Sequence, residues 1–135
     1  MADSIKLTVV SPERALVEAE ADEVQVPALG GYMGILPGHA ALFSELGIGR
    51  LSYSLKGRTK SLALAGGFVE VLDNHVRVLA TVAESDEGID VPRARQALQR
   101  AQDRLSGGAE ETDYDRARAA ARRAAARLEV AGGGD

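Results

Sequence analysis

The feature that most constrains this chain is a change of hydrophobic period at Glu84-Ser85-Asp86-Glu87-Gly88. Before it, apolar residues alternate with polar ones; after it, they recur at three and four. Ile5, Leu7 and Val9 alternate with Lys6 and Thr8, Leu51, Tyr53 and Leu55 alternate with serines, and Val76, Val78 and Ala80 keep the same spacing. Each run predicts a strand with one buried face. The runs are short, broken by glycine, proline or Asp/Asn, and have no helical segment between them. Residues 5–83 therefore predict an antiparallel β-sandwich or flattened barrel. Phe68 to Leu72 and His75 to Val78 flank Asp73-Asn74, a pair that tolerates the left-handed backbone of a two-residue hairpin.

After the polar linker, Asp90 is placed to cap a helix with Pro92 in its first turn. Ala94, Leu98, Ala101 and Leu105 form one apolar stripe that ends at Gly107-Gly108. Thr112 with Asp115 resembles a capping box, and Ala117, Ala121, Ala124 and Leu128 repeat the stripe on a second helix. Two matched stripes predict an antiparallel helical hairpin. The fold class is α+β, with a β-sandwich domain over 1–86 and a hairpin over 87–135. Its tail from Ala131 to Asp135 has nothing to bury and is expected to fray.

At 135 residues the chain can hold one ordinary core or a small domain with an appendage, which excludes a large multidomain enzyme. A net charge of −4 and 4% aromatic residues argue against a nucleic-acid partner. No apolar run approaches the roughly 18–20 residues that span a bilayer, and Met1-Ala2-Asp3-Ser4 has neither a basic region nor an apolar core, so no export signal is expected. With no cysteine and two histidines, thiolate chemistry is excluded and a histidine metal site has little to draw on. No phosphate-binding, dinucleotide, nucleophile-elbow or zinc-helix signature occurs, so neither catalytic nor metal-ligating residues are assigned. His39, in a loop, and His75, beside the hairpin turn, read as structural. Asp73, Glu84 and Asp90 read first as turn and cap residues.

The stretch from Pro27 to Ala40 is glycine-rich but lacks the lysine of a phosphate loop and is not followed by a helix start. Its glycines fit tight turns. Equally, its apolar residues, held between turns, suit docking to another protein.

Val26-Pro27, Gly34-Ile35-Leu36-Pro37-Gly38-His39-Ala40, Gly66-Gly67-Phe68-Val69-Glu70-Val71 and Ile89-Asp90 through Arg93-Ala94, in this order, resemble the epsilon subunit of bacterial F-type ATP synthases. The resemblance covers almost the whole chain. It implies a non-catalytic rotor subunit whose β-domain sits against the gamma subunit and the c-ring, with Gly31, Tyr32, Met33, Ile35, Leu36 and His39 as contacts. It further implies a peripheral location on the cytoplasmic face of the plasma membrane, reached only through the complex. A freestanding nucleotide-binding or adaptor module and a small enzyme are the competing classes, and neither accounts for the docking stretch.

At 100° per residue, Arg93 and Arg100 share one flank of the first stripe and Arg116, Arg123 and Arg127 share the matching flank of the second. In an antiparallel pair these flanks meet. Such arginines could simply solvate a face, where surface pairs contribute about 0–1 kcal/mol each. On the residues alone that solvated face is the favoured reading, the alternative being a grip on a polyanion through forked hydrogen bonds. The string Ile89-Asp90-Val91-Pro92-Arg93-Ala94 is similar to the I-D-x-x-R-A motif with which some epsilon subunits bind ATP. That resemblance implies a regulatory ATP site built from Glu84, Ile89, Asp90, Arg93, Ala94, Arg100, Arg123 and Arg127. Ile89 and Asp90 would hold the nucleoside end and the arginines the phosphates. No cofactor is required. It also implies a hairpin that extends towards the alpha/beta catalytic head and blocks ATP hydrolysis, with bound ATP favouring the folded form.

Overall fold

Alternation becomes sheet wherever the sequence shows it most clearly. In the computed structural model, which describes residues 4–107 and 113–132, β1 (Ile5–Val10) buries Ile5, Leu7 and Val9 and exposes Lys6. Strands β2 (Ala15–Ala21), β3 (Glu23–Ala28), β4 (Gly31–Ile35), β5 (Leu42–Leu55), β6 (Arg58–Leu72), β7 (His75–Ala80) and β8 (Ala83–Ser85) complete one sheet. Its order is β2-β1-β7-β6-β5-β3-β4, with β8 on β6. All pairs are antiparallel except β1 with β7. The buried side chains of β1 to β7 form a single core, including Leu46, Leu51, Leu64, Val69 and Val76.

The β6–β7 hairpin turns on Asp73 and Asn74, both with φ near +50 to +60°, as the sequence predicts. Lys56-Gly57 makes a second turn of the same kind between β5 and β6.

Two expectations need correction. The strands are not all short: β5 and β6 run for 14 and 15 residues. Gly47, Gly49, Gly66 and Gly67 lie inside them rather than between strands. The buried side of β6 shifts from Leu62 and Leu64 to Val69 and Val71 across Gly66 and Gly67, both at positive φ. At Gly67 β7 also leaves no room for a side chain, since a Cβ there would stand 2.3 Å from the Leu79 carbonyl oxygen. Long strands that change their buried side serve both layers of the sandwich. The polar linker is likewise structured: Glu84 and Ser85 belong to β8, and Asp86–Gly88 forms a 3-10 turn.

Asp90 caps α1 (Val91–Gly107), its carboxylate accepting the Arg93 amide at 3.1 Å. The cap of α2 (Tyr114–Ala131) is Asp113, which accepts the Arg116 amide at 3.0 Å. Thr112, expected in that role, lies outside the described residues, as does Gly108. The corrected cap follows from geometry, because Asp113 stands three residues before the amide it satisfies. Ala131, expected to fray, is helical, and Gly132 closes the helix with its amide on Leu128; the rest of the expected tail, Gly133 to Asp135, lies outside the described residues.

Ala94, Ala101, Ala117 and Ala124 are buried along the hairpin seam. The other stripe residues, Leu98, Leu105, Ala121 and Leu128, are half-buried, and the four buried methyls by themselves contribute on the order of 3 kcal/mol. A second face of α2, carrying Ala126 and Val130, packs on Ala63 of β6 together with Ile89. Thus α2 lies between α1 and the sheet.

Candidate functional site

The linker, α1 and α2 meet at one place. Glu84 on β8, Gly88 in the turn, Asp90 at the α1 cap, Arg93 and Ala94 on α1 and Arg127 on α2 line a cavity of about 240 Å³. Five of the eight residues expected to bind ATP are therefore gathered from three elements. Arg127 Nε donates to Glu84 Oε1 at 2.6 Å, both side chains being about one-third exposed. A shallow extension shares Glu84 and Arg127 and adds Arg123. Of the five arginines expected to converge, Arg93 of α1 and Arg127 of α2 share the cavity and Arg123 lines its extension, whereas Arg100 and Arg116 are exposed and line neither.

Two of the expected residues stand elsewhere. Ile89 packs towards Ala63, Ala126 and Val130, an apolar setting that fits an isoleucine better than a polar rim. Arg100 is exposed on α1 and lines neither cavity, because it lies almost two turns beyond Arg93. Arg118 is exposed and paired with Asp115 on its own helix. A larger cavity of about 480 Å³, beside Arg50, Tyr53, Lys60, Ser85, Asp86 and Val130, contains none of the expected residues and mixes both charges without convergence.

The stretch expected to dock as a loop is half strand. Gly31 to Ile35 form edge strand β4, paired with β3 through a two-residue turn at Leu29-Gly30. Its alternation decides which side chains are free. Tyr32 is 59% exposed and Leu36 is 56% exposed. Met33 is half-buried against the core, and Ile35 is fully buried. Ile35 is thus a core residue rather than a contact, since it follows Met33 at period two. His39 is half-buried, with its ring Nδ1 2.8 Å from the Ala40 carbonyl. Tyr32 is held in place: its hydroxyl accepts the Arg50 amide at 3.0 Å across Gly49, where a Cβ would come within 2.7 Å of that hydroxyl.

Sequence reading missed a second apolar surface. Phe68 is opposite both Glu45 of β5 and Leu79 of β7, and Phe43 is two residue pairs along, on the same face. Phe43 is 66% exposed, Phe68 43% and Leu79 56%, and the two phenyl rings stack with centroids 5.6 Å apart. The available signal was parity: Phe68 has the opposite phase to Val69 and Val71. His75 shares the outer face of β7 with Arg77 and Leu79, and its Nε2 lies 2.9 Å from Thr8 Oγ1. Burial, with Arg77 and Lys6 nearby, lowers its pKa.

Among the described residues no group of three or more potential ligands could hold a metal, and no helix is long and apolar enough to cross a membrane. The family model for the β-sandwich domain of the ATP synthase Delta/Epsilon chain matches residues 4–86, and that for its long α-helix domain matches residues 87–132. The ATP synthase epsilon chain of Solibacter usitatus is 50% identical over 131 residues, covering 97% of this chain and 98% of its own. That of Carboxydothermus hydrogenoformans is 52% identical over 106 residues, covering 78% and 79%. A chain in the Euglena gracilis mitochondrial ATP synthase structure of OSCP, F1 and c-ring shares the fold, with a TM-score of 0.80 at 24% identity, covering 97% of this chain and 82% of that one.

Proposed function

The chain belongs to the ATP synthase delta/epsilon family, and from that premise we propose that it is a non-catalytic subunit of the central stalk of an F-type ATP synthase. It docks through its β-domain on the gamma subunit and the c-ring, and so lies at the cytoplasmic face of a bacterial plasma membrane without entering the bilayer. The observation that carries this reading is the exposed Phe43–Phe68–Leu79 row on a domain whose core is already complete. Contiguous aromatic surface of this kind is costly in water and marks a protein interface. Tyr32 on the β4 edge and Leu36 just beyond it supply a second contact, suited to the ring.

The helical hairpin regulates hydrolysis. The cavity shared by Glu84, Asp90, Arg93, Ala94 and Arg127 supports an ATP-sensing role, because a polyanion bound there would tie linker, α1 and α2 together. A ligand that binds only the folded hairpin stabilises it against extension towards the alpha/beta head.

Binding of the purified chain to a gamma-subunit and c-ring assembly tests the docking. Phe68→Asp or Leu36→Asp places an unpaired carboxylate in an apolar contact and should weaken association by at least a hundredfold. Full affinity in both variants, with folding intact, would dismiss these surfaces as contacts.

A further inference from the structure

Leu29, at the tip of the β3–β4 hairpin, and Arg122, on α2, flank the same spot. A Cβ added to Gly47 would stand 3.6 Å from Leu29 Cδ2 and 3.9 Å from Arg122 Nη2. Leu29 is 66% exposed, the next residues of the hairpin include exposed Tyr32, and Arg122 is exposed beside them. The Arg122 guanidinium makes a single long hydrogen bond, 3.4 Å to the Ile48 carbonyl, and pairs with no carboxylate among the described residues. Other arginines are also unpaired; what singles out Arg122 is its place beside an apolar tip, on an element that can leave.

We propose that Arg122 of the folded α2 completes the docking face begun by Leu29 and Tyr32, and that this composite surface takes a partner carboxylate seated next to an apolar side chain. The inference rests on the reading that the β4 edge docks on the rotor. Charge complementarity selects the occupant: four of the five guanidinium N–H donors are unused, and a planar fork beside a hydrophobic contact matches a carboxylate rather than a carbonyl. The absent side chain at Gly47 leaves the two groups in one shallow surface rather than separated by a ridge. The consequence is regulatory. A partner bound to this surface holds α2 against the sheet, and extension of the hairpin removes the charge from the docking face. The rotor therefore reads the hairpin state directly, independently of any nucleotide.

Binding of the full-length chain to the gamma-subunit and c-ring assembly, measured without nucleotide, tests this. Arg122→Gln removes the charge but keeps an amide, and should weaken binding about tenfold or more, the usual worth of a charge-assisted contact. Arg118→Gln, one turn away and paired within its own helix, should leave affinity unchanged. Raising salt should narrow the gap between wild type and Arg122→Gln. Hydrogen exchange of the α2 amides should slow on binding in wild type and not in Arg122→Gln. If wild type binds, Leu36→Asp does not, and Arg122→Gln matches wild type in affinity and α2 protection, the composite surface is overturned while rotor docking stands. An equal loss in Arg118→Gln would overturn it in favour of general charge attraction. If wild type itself fails to bind, the docking reading falls and this inference with it.

Discussion

Gly67 shows how one residue sets the course of two strands. At φ +136° it occupies backbone space that side-chain-bearing residues rarely enter, and the Leu79 carbonyl oxygen would lie 2.3 Å from any Cβ. Gly67→Ala should therefore cost about 3 kcal/mol or more of unfolding free energy. Gly57→Ala, in a turn with positive φ but nothing within 4 Å, should cost only about 1–2 kcal/mol. Urea unfolding of both variants checks the contrast, and equal losses would show that backbone conformation alone, not close approach, governs Gly67. The sequence displayed the Gly66-Gly67 pair but not its reason, because the obstructing carbonyl belongs to a different strand. Ile35 illustrates the reverse. Its place in the core was legible from its period-two relation to Met33, yet a run of glycines made the segment look like a loop and hid the alternation.

At the scale of elements, the hairpin was legible where its stripes were narrow and obscure where they were not. Ala94, Ala101, Ala117 and Ala124 pack as predicted. Ala126 and Val130, which seat α2 on the sheet, were not singled out, because a helix rich in alanine on every side carries no contrast to mark a second buried face. Geometry also refines the proposed nucleotide site. Arg93 and Arg127 line the cavity, Arg123 its extension, and Arg100 neither. Arg93→Ala and Arg127→Ala should accordingly weaken ATP binding by roughly one to two orders of magnitude, and Arg100→Ala by much less. Arg118→Ala should have no effect. Titration calorimetry with magnesium-free ATP on the full chain measures all four. Absence of binding heat in wild type at millimolar ATP would remove the sensor altogether, whereas similar losses in every variant would indicate diffuse attraction to a basic helix.

In the whole molecule, the large core is made entirely from strands, and the helices add a separate, thinner layer against Ala63. A fragment ending at Glu87 retains β8 and every residue of that large core. It should fold alone with a cooperative transition, losing only the α2 contacts. If the β-domain supplies the main docking surfaces and α2 supplies only Arg122, the fragment should bind the gamma-subunit and c-ring assembly with the affinity of full-length Arg122→Gln, about tenfold below wild type. Adding Arg122→Gln to a fragment without α2 is meaningless, so the comparison runs between fragment and full-length variant, with Leu36→Asp in both as the common control. Fragment affinity equal to wild type would make the helices irrelevant to docking. A broad, non-cooperative transition in the fragment would mean that the seam at Ala63, Ala126 and Val130 is needed to hold the sandwich together. The latter result would contradict the way burial divides the chain: the strands share one closed core, and the hairpin is attached to the sheet through Ala63, Ala126, Val130 and Ile89, the Glu84–Arg127 and Arg50–Glu129 pairs and the Arg122–Ile48 hydrogen bond. That division is what the proposed regulation requires: a hairpin able to separate without unfolding the strands.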